Sequence, residues 1–422
     1  MDSEAPILIV GAGQAGVQIA ESLRQEGYEG ELQLLGTEIH APYQRPPLSK
    51  KWLLDPSNRS MLALRGEDAL ARRRITLRPQ VTVERIDRNT RTAHLAGGET
   101  IGYSGLALAT GSIARVLPLP GATLGHVLTL RSIEDASAIG DAIRYCVAEQ
   151  LPLVVIGGGF IGLEVAASAR KLGAGVTVLE GLPRLMSRVT APVISDAFDQ
   201  LHRSHGVKLV YGAQVKELVG DSRVRAVRTS NGDEYPAGAV IVGVGVRPDD
   251  RLAADAGVAC DHGIIVDACA RTSDPLIVAA GDCTARRFDD GRLVRLESVQ
   301  NAVEQGKSAA AWLMGKERPF VATPWFWSDQ YDVKLQMVGL SHGYEQVITR
   351  GDLSKPAFSA FYFHDGRLVA VDSVNRVQDH MAARRVLDAG VVCTPDQVND
   401  PQFDLQALAK QTRPATTAAG GA

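Results

Sequence analysis

The stretch ILIVGAGQAG, residues 7–16, decides the fold. Four consecutive apolar residues, Ile7, Leu8, Ile9 and Val10, read as a strand buried on both faces. Three glycines follow at the GxGxxG spacing, and a helix is expected over 17–26. Gly11 permits the tight turn, Gly13 lets backbone approach a pyrophosphate, and Gly16 lets the helix sit close to the strand. The orphan N–H groups and positive dipole end of that helix then face phosphate. Taken alone, the same pattern describes an ordinary strand–turn–helix, so the weight falls on what surrounds it.

The device occurs twice. LVVIGGGFIG, residues 153–162, is again a buried strand followed by Gly157, Gly159 and Gly162, with a helix expected over 163–172. A strand over 176–179 then ends in Glu180, where a carboxylate hydrogen-bonds both ribose hydroxyls and repels a 2′-phosphate. That favours NAD over NADP. Arg184 reads as a surface arginine, although a swing inward would attract phosphate. In the first unit the second strand, 31–36, is followed by Thr37 and Glu38 at the position that reaches the ribose. Two such Rossmann-type units imply two dinucleotides, and the natural pair is FAD with a nicotinamide nucleotide.

At 422 residues the chain is long enough for two or three domains, and a 45% hydrophobic content supports well-filled interiors. The net charge of -3 gives no pull toward nucleic acid or a membrane surface. The N-terminus has no basic segment ahead of its short apolar run, so neither a signal peptide nor a membrane span is expected. The five cysteines, Cys146, Cys260, Cys269, Cys283 and Cys393, form no CxxC and no zinc-ligand spacing. They read as free thiols in a reducing cytoplasm, with no metal site.

Between the glycine units the chain reads as follows. Pro42, Pro46 and Pro47 forbid a regular helix start in HAPYQRPPLSK, residues 40–50, leaving either a rigid surface loop or a stiff wall beside a bound ring, ending in Lys50. Residues 81–86 and 92–95 alternate as antiparallel strands, 105–111 is a buried strand stopping at Thr110-Gly111, and PLPG at 118–121 reads as a linker. Ser132 and Asp135 are placed to cap a helix beginning at Arg131. Strands are expected at 207–211, 215–219, 224–228, 239–243, 264–266 and 276–280, with VGVRPD, 244–249, as a return linker. In AAGDCT, 279–284, Asp282 is either a turn cap or an acceptor for a ribityl hydroxyl. A helix over 299–314 follows, its N-terminus able to face a developing anion. PWFWSDQ, 324–330, holds two of the four tryptophans and fits a domain-interface core or a redox site equally. Four strands between 335 and 374, then a helix near 380–387, make an antiparallel C-terminal domain. The low-complexity end, 415–422, reads as disordered.

The motifs GAGQAG, RPPLSK, LATG, GGGFIGLE, GDC, ESVQNAVEQ and WFWSDQ, in this order and spacing, resemble the FAD-dependent ferredoxin reductases of bacterial oxygenase systems. RPPLSK together with WFWSDQ is the specific part, and the resemblance runs over residues 7–406. It implies a glutathione-reductase-like α/β fold: an FAD domain from 1–114 and 247–325, a nicotinamide domain over 115–246, an α+β domain over 326–407 and a flexible tail over 408–422. It implies that Gly11, Gly13, Ala15, Gly16, Thr37 or Glu38, Arg45, Pro47, Lys50, Val81, Ala109, Thr110, Gly111, Arg131, Gly281, Asp282 and Val299 contact FAD. It implies that Trp325 and Trp327 lie near the flavin face or the partner's docking surface. Gly157, Gly159, Phe160, Ile161, Gly162, Glu180 and Gly245 hold NADH in preference to NADPH. Lys50 and Glu164 are the implied catalytic pair, Glu164 approaching the nicotinamide and pairing with Lys50 beside the flavin.

The activity implied is NADH:ferredoxin oxidoreduction, with a transient 2Fe-2S ferredoxin partner and a monomeric or weakly dimeric enzyme. A disulfide reductase or an NADH oxidase on the same fold needs a cysteine in the 40–50 region, and none is there. An interaction protein resembling apoptosis-inducing factor shares the Lys–Glu pair, but wants a targeting segment and a basic surface. An acidic partner wants a basic patch. Arg72, Arg73 and Arg74 supply one candidate, against the reading of the run as a solvated helix end.

Overall fold

The structure, a computed structural model, describes residues 5–288 and 291–411. The chain forms two compact units: Met1–Pro47, Ser57–Ile113 and Val246–Val321 in the first, and Leu48–Pro56, Ala114–Gly245 and Ala322–Ala422 in the second.

A wholly parallel sheet centres the first unit, in the order Ile277–Ala279, Gly105–Leu108, Ile7–Val10, Leu32–Leu35, Thr76–Arg78. Alternation along Ile7–Val10 builds three layers. Ile7 and Ile9 join the core beneath the helices, whereas Leu8 and Val10 join Val83, Ile86, Ala93 and Leu95 on the opposite side. Those last residues belong to a small antiparallel sheet, Val83–Asp87, Thr92–Leu95 and Thr100–Gly102. On the helical face Gln14–Gln25 packs against Val299–Leu313. Gly306 makes that possible, because a Cβ there would stand 3.0 Å from Gln18 Cβ.

In the second unit a parallel sheet runs Lys208–Tyr211, Val176–Glu180, Leu153–Ile156, Ala239–Val242, Val127–Thr129. The helix Ile133–Ala148 beside it starts with a full capping box between Ser132 and Asp135. A second sheet, wholly antiparallel, runs Trp325–Gln330, Val333–Gly339, Arg367–Val374, Ala357–His364, Gln346–Asp352, and the helix Val377–Asp388 packs on it.

Several expectations shift. Both glycine-turn helices start three residues early, at Gln14 and Phe160, because Gly13 and Gly159 are themselves the N-caps and Gly16 and Gly162 lie in the first turns. The helix at 131 starts at Ile133, outside Arg131. Helix Pro192–Ser204, unforeseen from sequence, buries Ile194, Phe198 and His202, with Pro192 in its first turn, where the missing N–H costs nothing. Within 40–50 no α-helix starts, as the prolines require, but the segment is not all loop. A 3-10 turn, Pro46–Ser49, leads directly into Lys51–Leu54. Residues 118–121 are no free linker, since Leu218 N–H donates to Pro120 O at 2.9 Å. The return stretch at 244–249 includes a short strand, Val246–Pro248. At the C-terminus, Pro395–Asn399 and Leu405–Lys410 add two helices, so the boundary placed at 407 falls inside a helix. The low-complexity stretch 415–422 lies outside the described residues. Among the described residues no helix is long and apolar enough to cross a membrane.

Candidate active site

The two glycine turns are built alike. Gly11 has φ +112°, and a Cβ on it would lie 2.1 Å from Ala109 O. Gly157 has φ +106°, with the corresponding Cβ 2.5 Å from Gly243 O. Gly16 and Gly162 bring helix onto turn, since their Cβ atoms would lie 1.9 Å from Gly11 O and 2.3 Å from Gly157 O. The middle glycines differ. A Cβ on Gly13 or Gly159 would meet nothing within 4 Å, and both have ordinary negative φ. No protein atom requires glycine there, whereas close approach by a bound pyrophosphate does. Neither following helix has a side-chain cap or an acid in its first turn, which leaves backbone donors for an anion. Both cradles therefore fit a dinucleotide.

Within the first unit the other expected residues gather at the carboxyl ends of the same strands. Ala109 N–H donates to Val10 O at 2.8 Å, Val81 N–H to Gly36 O at 2.9 Å, and Thr110 Oγ1 to Asp249 O at 2.5 Å. Gly281 turns with φ +86°, its Cβ position 3.1 Å from the Ala15 Cβ, and its N–H donates to Gln305 Oε1 at 2.8 Å. Gly111 also has positive φ. Asp282 accepts from Ser112 Oγ at 3.1 Å. Thr37 is exposed. Glu38 is instead clamped, one oxygen by Arg45 at 2.5 Å and the other by the Tyr43 hydroxyl. Pro47 lies in the 3-10 turn. Val299 begins its helix, but the Ser298 side chain already takes the Asn301 N–H, so part of that terminus is satisfied internally.

In the second unit Glu180 is fixed by backbone. Its Oε2 accepts from Gly158 N–H at 2.5 Å and its Oε1 from Leu182 N–H at 2.7 Å. Arg184 is not a free surface arginine. It donates to Ser195 Oγ at 2.7 Å and to Ser187 O at 3.0 Å. Gly245 has φ +95° and accepts Arg115 N–H at 3.0 Å. Arg131 N–H donates to Asp135 Oδ2 at 2.8 Å.

The helix Phe160–Lys171 also carries Glu164, which is 4% exposed. Its Oε1 lies 3.0 Å from Lys50 Nζ and accepts from Ser328 Oγ at 2.6 Å, and its Oε2 accepts from Ser49 Oγ at 2.5 Å. Burial pushes the carboxyl above its ordinary value, while the Lys50 charge and the two hydroxyls pull it back. Ser49 and Ser328 were not singled out from sequence. The strand Trp325–Gln330 shows why Ser328 is there. Phe326, Ser328 and Gln330 share one face, with the Phe326 ring 4.8 Å from Phe160. Trp325 and Trp327, 5.6 Å apart, share the other, where Trp325 meets His380 at 5.8 Å and the Arg384 guanidinium stands 4.9 Å over it. Ile161 remains 39% exposed at the start of the helix.

All five cysteines are free, and four are buried. Cys283, in the GDC turn, has its thiol pushed up to about 11 by burial. The Arg72–Arg74 run is partly committed: Arg73 pairs with the buried Glu21 at 3.0 Å, and Arg74 with Glu29 at 3.5 Å.

The model of the family described as pyridine nucleotide-disulphide oxidoreductase matches residues 5–306, and that described as reductase C-terminal matches 325–409. The chain belongs to the pyridine nucleotide-disulphide oxidoreductase family. Membership implies FAD and NAD(P) as its cofactors. It is 45% identical to rhodocoxin reductase of Rhodococcus erythropolis over 95% of this chain and 93% of that one. It is 40% identical to putidaredoxin reductase of Pseudomonas putida, over 97% of both. Among solved structures, a ferredoxin reductase from Rhodopseudomonas palustris superposes with a TM-score of 0.92 at 43% identity, over 96% of this chain and 99% of that one. The reductase of a covalent putidaredoxin reductase–putidaredoxin complex gives 0.91 at 40% identity, over 97% and 100%. In this member of the family the name's disulphide has no counterpart at residues 40–50, where the chain carries Lys50 rather than a thiol pair.

Proposed function

We propose that this chain is an NADH:ferredoxin oxidoreductase delivering electrons one at a time to a 2Fe-2S ferredoxin of an oxygenase system. The observation that carries the reading is similarity over nearly the full length, C-terminal part included, to reductases named for ferredoxin-type partners. Bound FAD would supply the conversion of a two-electron input into single-electron output. The chain's own part is to bind, orient and set charge. Gly11, Gly13, Gly16 and the residues gathered at Ala109, Gly281 and Asp282 hold FAD. Gly157, Gly159, Gly162 and Glu180 hold the nicotinamide nucleotide. Glu180, pinned by two backbone donors, sits where its carboxyl group would oppose a 2′-phosphate, and Arg184 is tied elsewhere, which supports preference for NADH. Lys50 supplies positive charge to the redox step, positioned by Glu164. A cytoplasmic location and a monomeric or weakly dimeric state fit a transient electron-transfer partner.

The test is NADH-driven cytochrome c reduction by the FAD-loaded protein with and without added 2Fe-2S ferredoxin. Reduction that depends on ferredoxin supports the reading, and equal reduction without it points to a flavin-dependent oxidase or diaphorase.

A further inference from the structure

Behind Glu164 a line of polar side chains continues through the second unit. Gln330 Nε2 lies 3.2 Å from Ser328 Oγ, and His202 Nε2 lies 2.8 Å from Gln330 Oε1. Ser328, Gln330 and His202 are each fully buried at 0% exposure. We propose that Ser328, Gln330 and His202 form a one-way hydrogen-bond chain that keeps Glu164 ionised, with His202 as the positioning residue that fixes its direction.

The direction follows from donor counting. An ionised Glu164 can only accept, so Ser328 must spend its single proton on it. The Ser328 oxygen must then accept from the Gln330 amide N–H. That turns the Gln330 carbonyl toward His202, which must donate from Nε2. The other ring atom agrees. His202 Nδ1 is buried with no partner, so a proton there would be an orphan donor, and the proton belongs on Nε2. Burial also pulls the imidazole down to about 4, so the ring is neutral and its tautomer is the variable. Were the Nε2 proton lost, the Gln330 amide would gain by turning over. Its carbonyl would then compete with Glu164 for the one Ser328 proton. Aligned bonds polarise one another, so the far end of the chain strengthens the near one. The charged group facing Glu164 is Lys50, and those nearest His202 are His205 and Asp199.

The consequence for electron transfer rests on the role proposed above for Lys50 and Glu164, but the state of Glu164 can be read without it. In FAD-loaded protein labelled with 15N-histidine, the His202 ring, assigned by its loss in His202→Gln, should be protonated at Nε2. Infrared titration, with the Glu164 band identified by its loss in Glu164→Gln, should give a higher midpoint in His202→Phe and in Gln330→Leu. The rise should be about one pH unit, tenfold in proton affinity. His202→Gln, which keeps an N–H donor but not the ring, should leave the midpoint in place. A packing role would give the reverse order, with Phe closer to wild type than Gln. Should His202→Phe fail to fold, Gln330→Leu and the wild-type tautomer still decide. A proton on Nδ1, or equal midpoints in the Gln and Phe variants, overturns the proposal. Ferredoxin reduction is assayed in parallel: its absence in the wild type would count against the proposed function and leave these titrations standing.

Discussion

The Lys50 ammonium stands 3.0 Å from Glu164 Oε1, the lysine side chain 14% exposed and the glutamate 5%. Such a pair is expensive to desolvate and adds little net stability. Once buried, however, neither member can be removed alone without stranding the other's charge. Ser328 adds a second donor to Oε1 and Ser49 donates to Oε2, so both glutamate oxygens are hydrogen-bonded and the geometry is fixed.

Lys50→Met should therefore cost about 3–5 kcal/mol in urea denaturation, unless Glu164 takes up a proton to escape the cost. The double variant Lys50→Met/Glu164→Gln should be more stable than the single one, a coupling that a thermodynamic cycle measures. If Lys50 sets the charge of the redox step, the flavin midpoint potential should also fall in the single variant, by roughly 30 mV for each 1.4 kcal/mol lost. An unchanged potential and unchanged rate of reduction by NADH would remove Lys50 from the chemistry and leave it a structural residue.

The glycine turns predict separable defects. Gly16→Ala drives a Cβ to 1.9 Å from Gly11 O, and Gly162→Ala drives one to 2.3 Å from Gly157 O. Gly16→Ala should yield protein that loses its yellow colour on gel filtration. Gly162→Ala should stay yellow, and its KM for NADH should rise at least tenfold, as follows from about 1.4 kcal/mol of lost binding. Gly13→Ala is the sharper control. Nothing in the protein opposes its Cβ, so stability of the apo form should hold while FAD affinity falls.

Much of this was legible in the sequence because it is local. Strand, glycine turn and helix are contiguous, and Ser132 reaches its Asp135 three residues on. Four of the five antiparallel C-terminal strands follow from their apolar runs, although Ala357–His364 and Arg367–Val374 are buried almost throughout rather than in alternation, and the fifth strand, Trp325–Gln330, was not foreseen. What stayed hidden is what the chain brings from a distance. Ser49 and Ser328 meet Glu164 from 115 and 164 positions away, and a serine carries no periodic signal of that meeting. The tryptophan stretch fits a domain-interface core or a redox site equally from sequence. Its alternation, with Ser328 and Gln330 on the face opposite Trp325 and Trp327, becomes meaningful only once the neighbouring helix is in place. Helix Pro192–Ser204 does carry a local signal, Pro192 followed by Ile194 and Phe198 at helical spacing.

Nucleotide choice should turn on Glu180. Its two carboxyl oxygens are anchored by the Gly158 and Leu182 N–H groups, which holds the side chain at the strand end proposed above for the ribose. Glu180→Gln removes the charge and keeps an acceptor. The NADH:NADPH ratio of kcat/KM should drop by about tenfold or more, mainly through a lower KM for NADPH. Adding Ser195→Ala, which frees Arg184 from one of its partners, should lower the ratio further. A ratio unmoved by both changes would place the discrimination elsewhere in the cradle.

The last prediction concerns stability against pH. Asp372 is 1% exposed, accepts from the Tyr362 hydroxyl at 2.5 Å, and is pushed up to about 7 by burial, the tyrosine bond opposing. Unfolded, it should titrate near 3.9. The folded state therefore binds the proton more tightly. The stability this contributes is complete below about pH 4 and is lost as pH rises through about 7. Three pH units correspond to about 4 kcal/mol as an upper bound. The urea midpoint of the wild type should fall between pH 5 and pH 8.5, whereas Asp372→Asn, which stays neutral and still accepts from Tyr362, should hold its midpoint across that range. Tyr362→Phe should be worse than either at every pH. It removes the bond that favours the carboxylate and also strands the Ala191 N–H, which the tyrosine oxygen accepts at 3.0 Å just ahead of helix Pro192–Ser204. A wild-type midpoint as flat as that of Asp372→Asn would mean that Asp372 titrates at its ordinary value despite its burial.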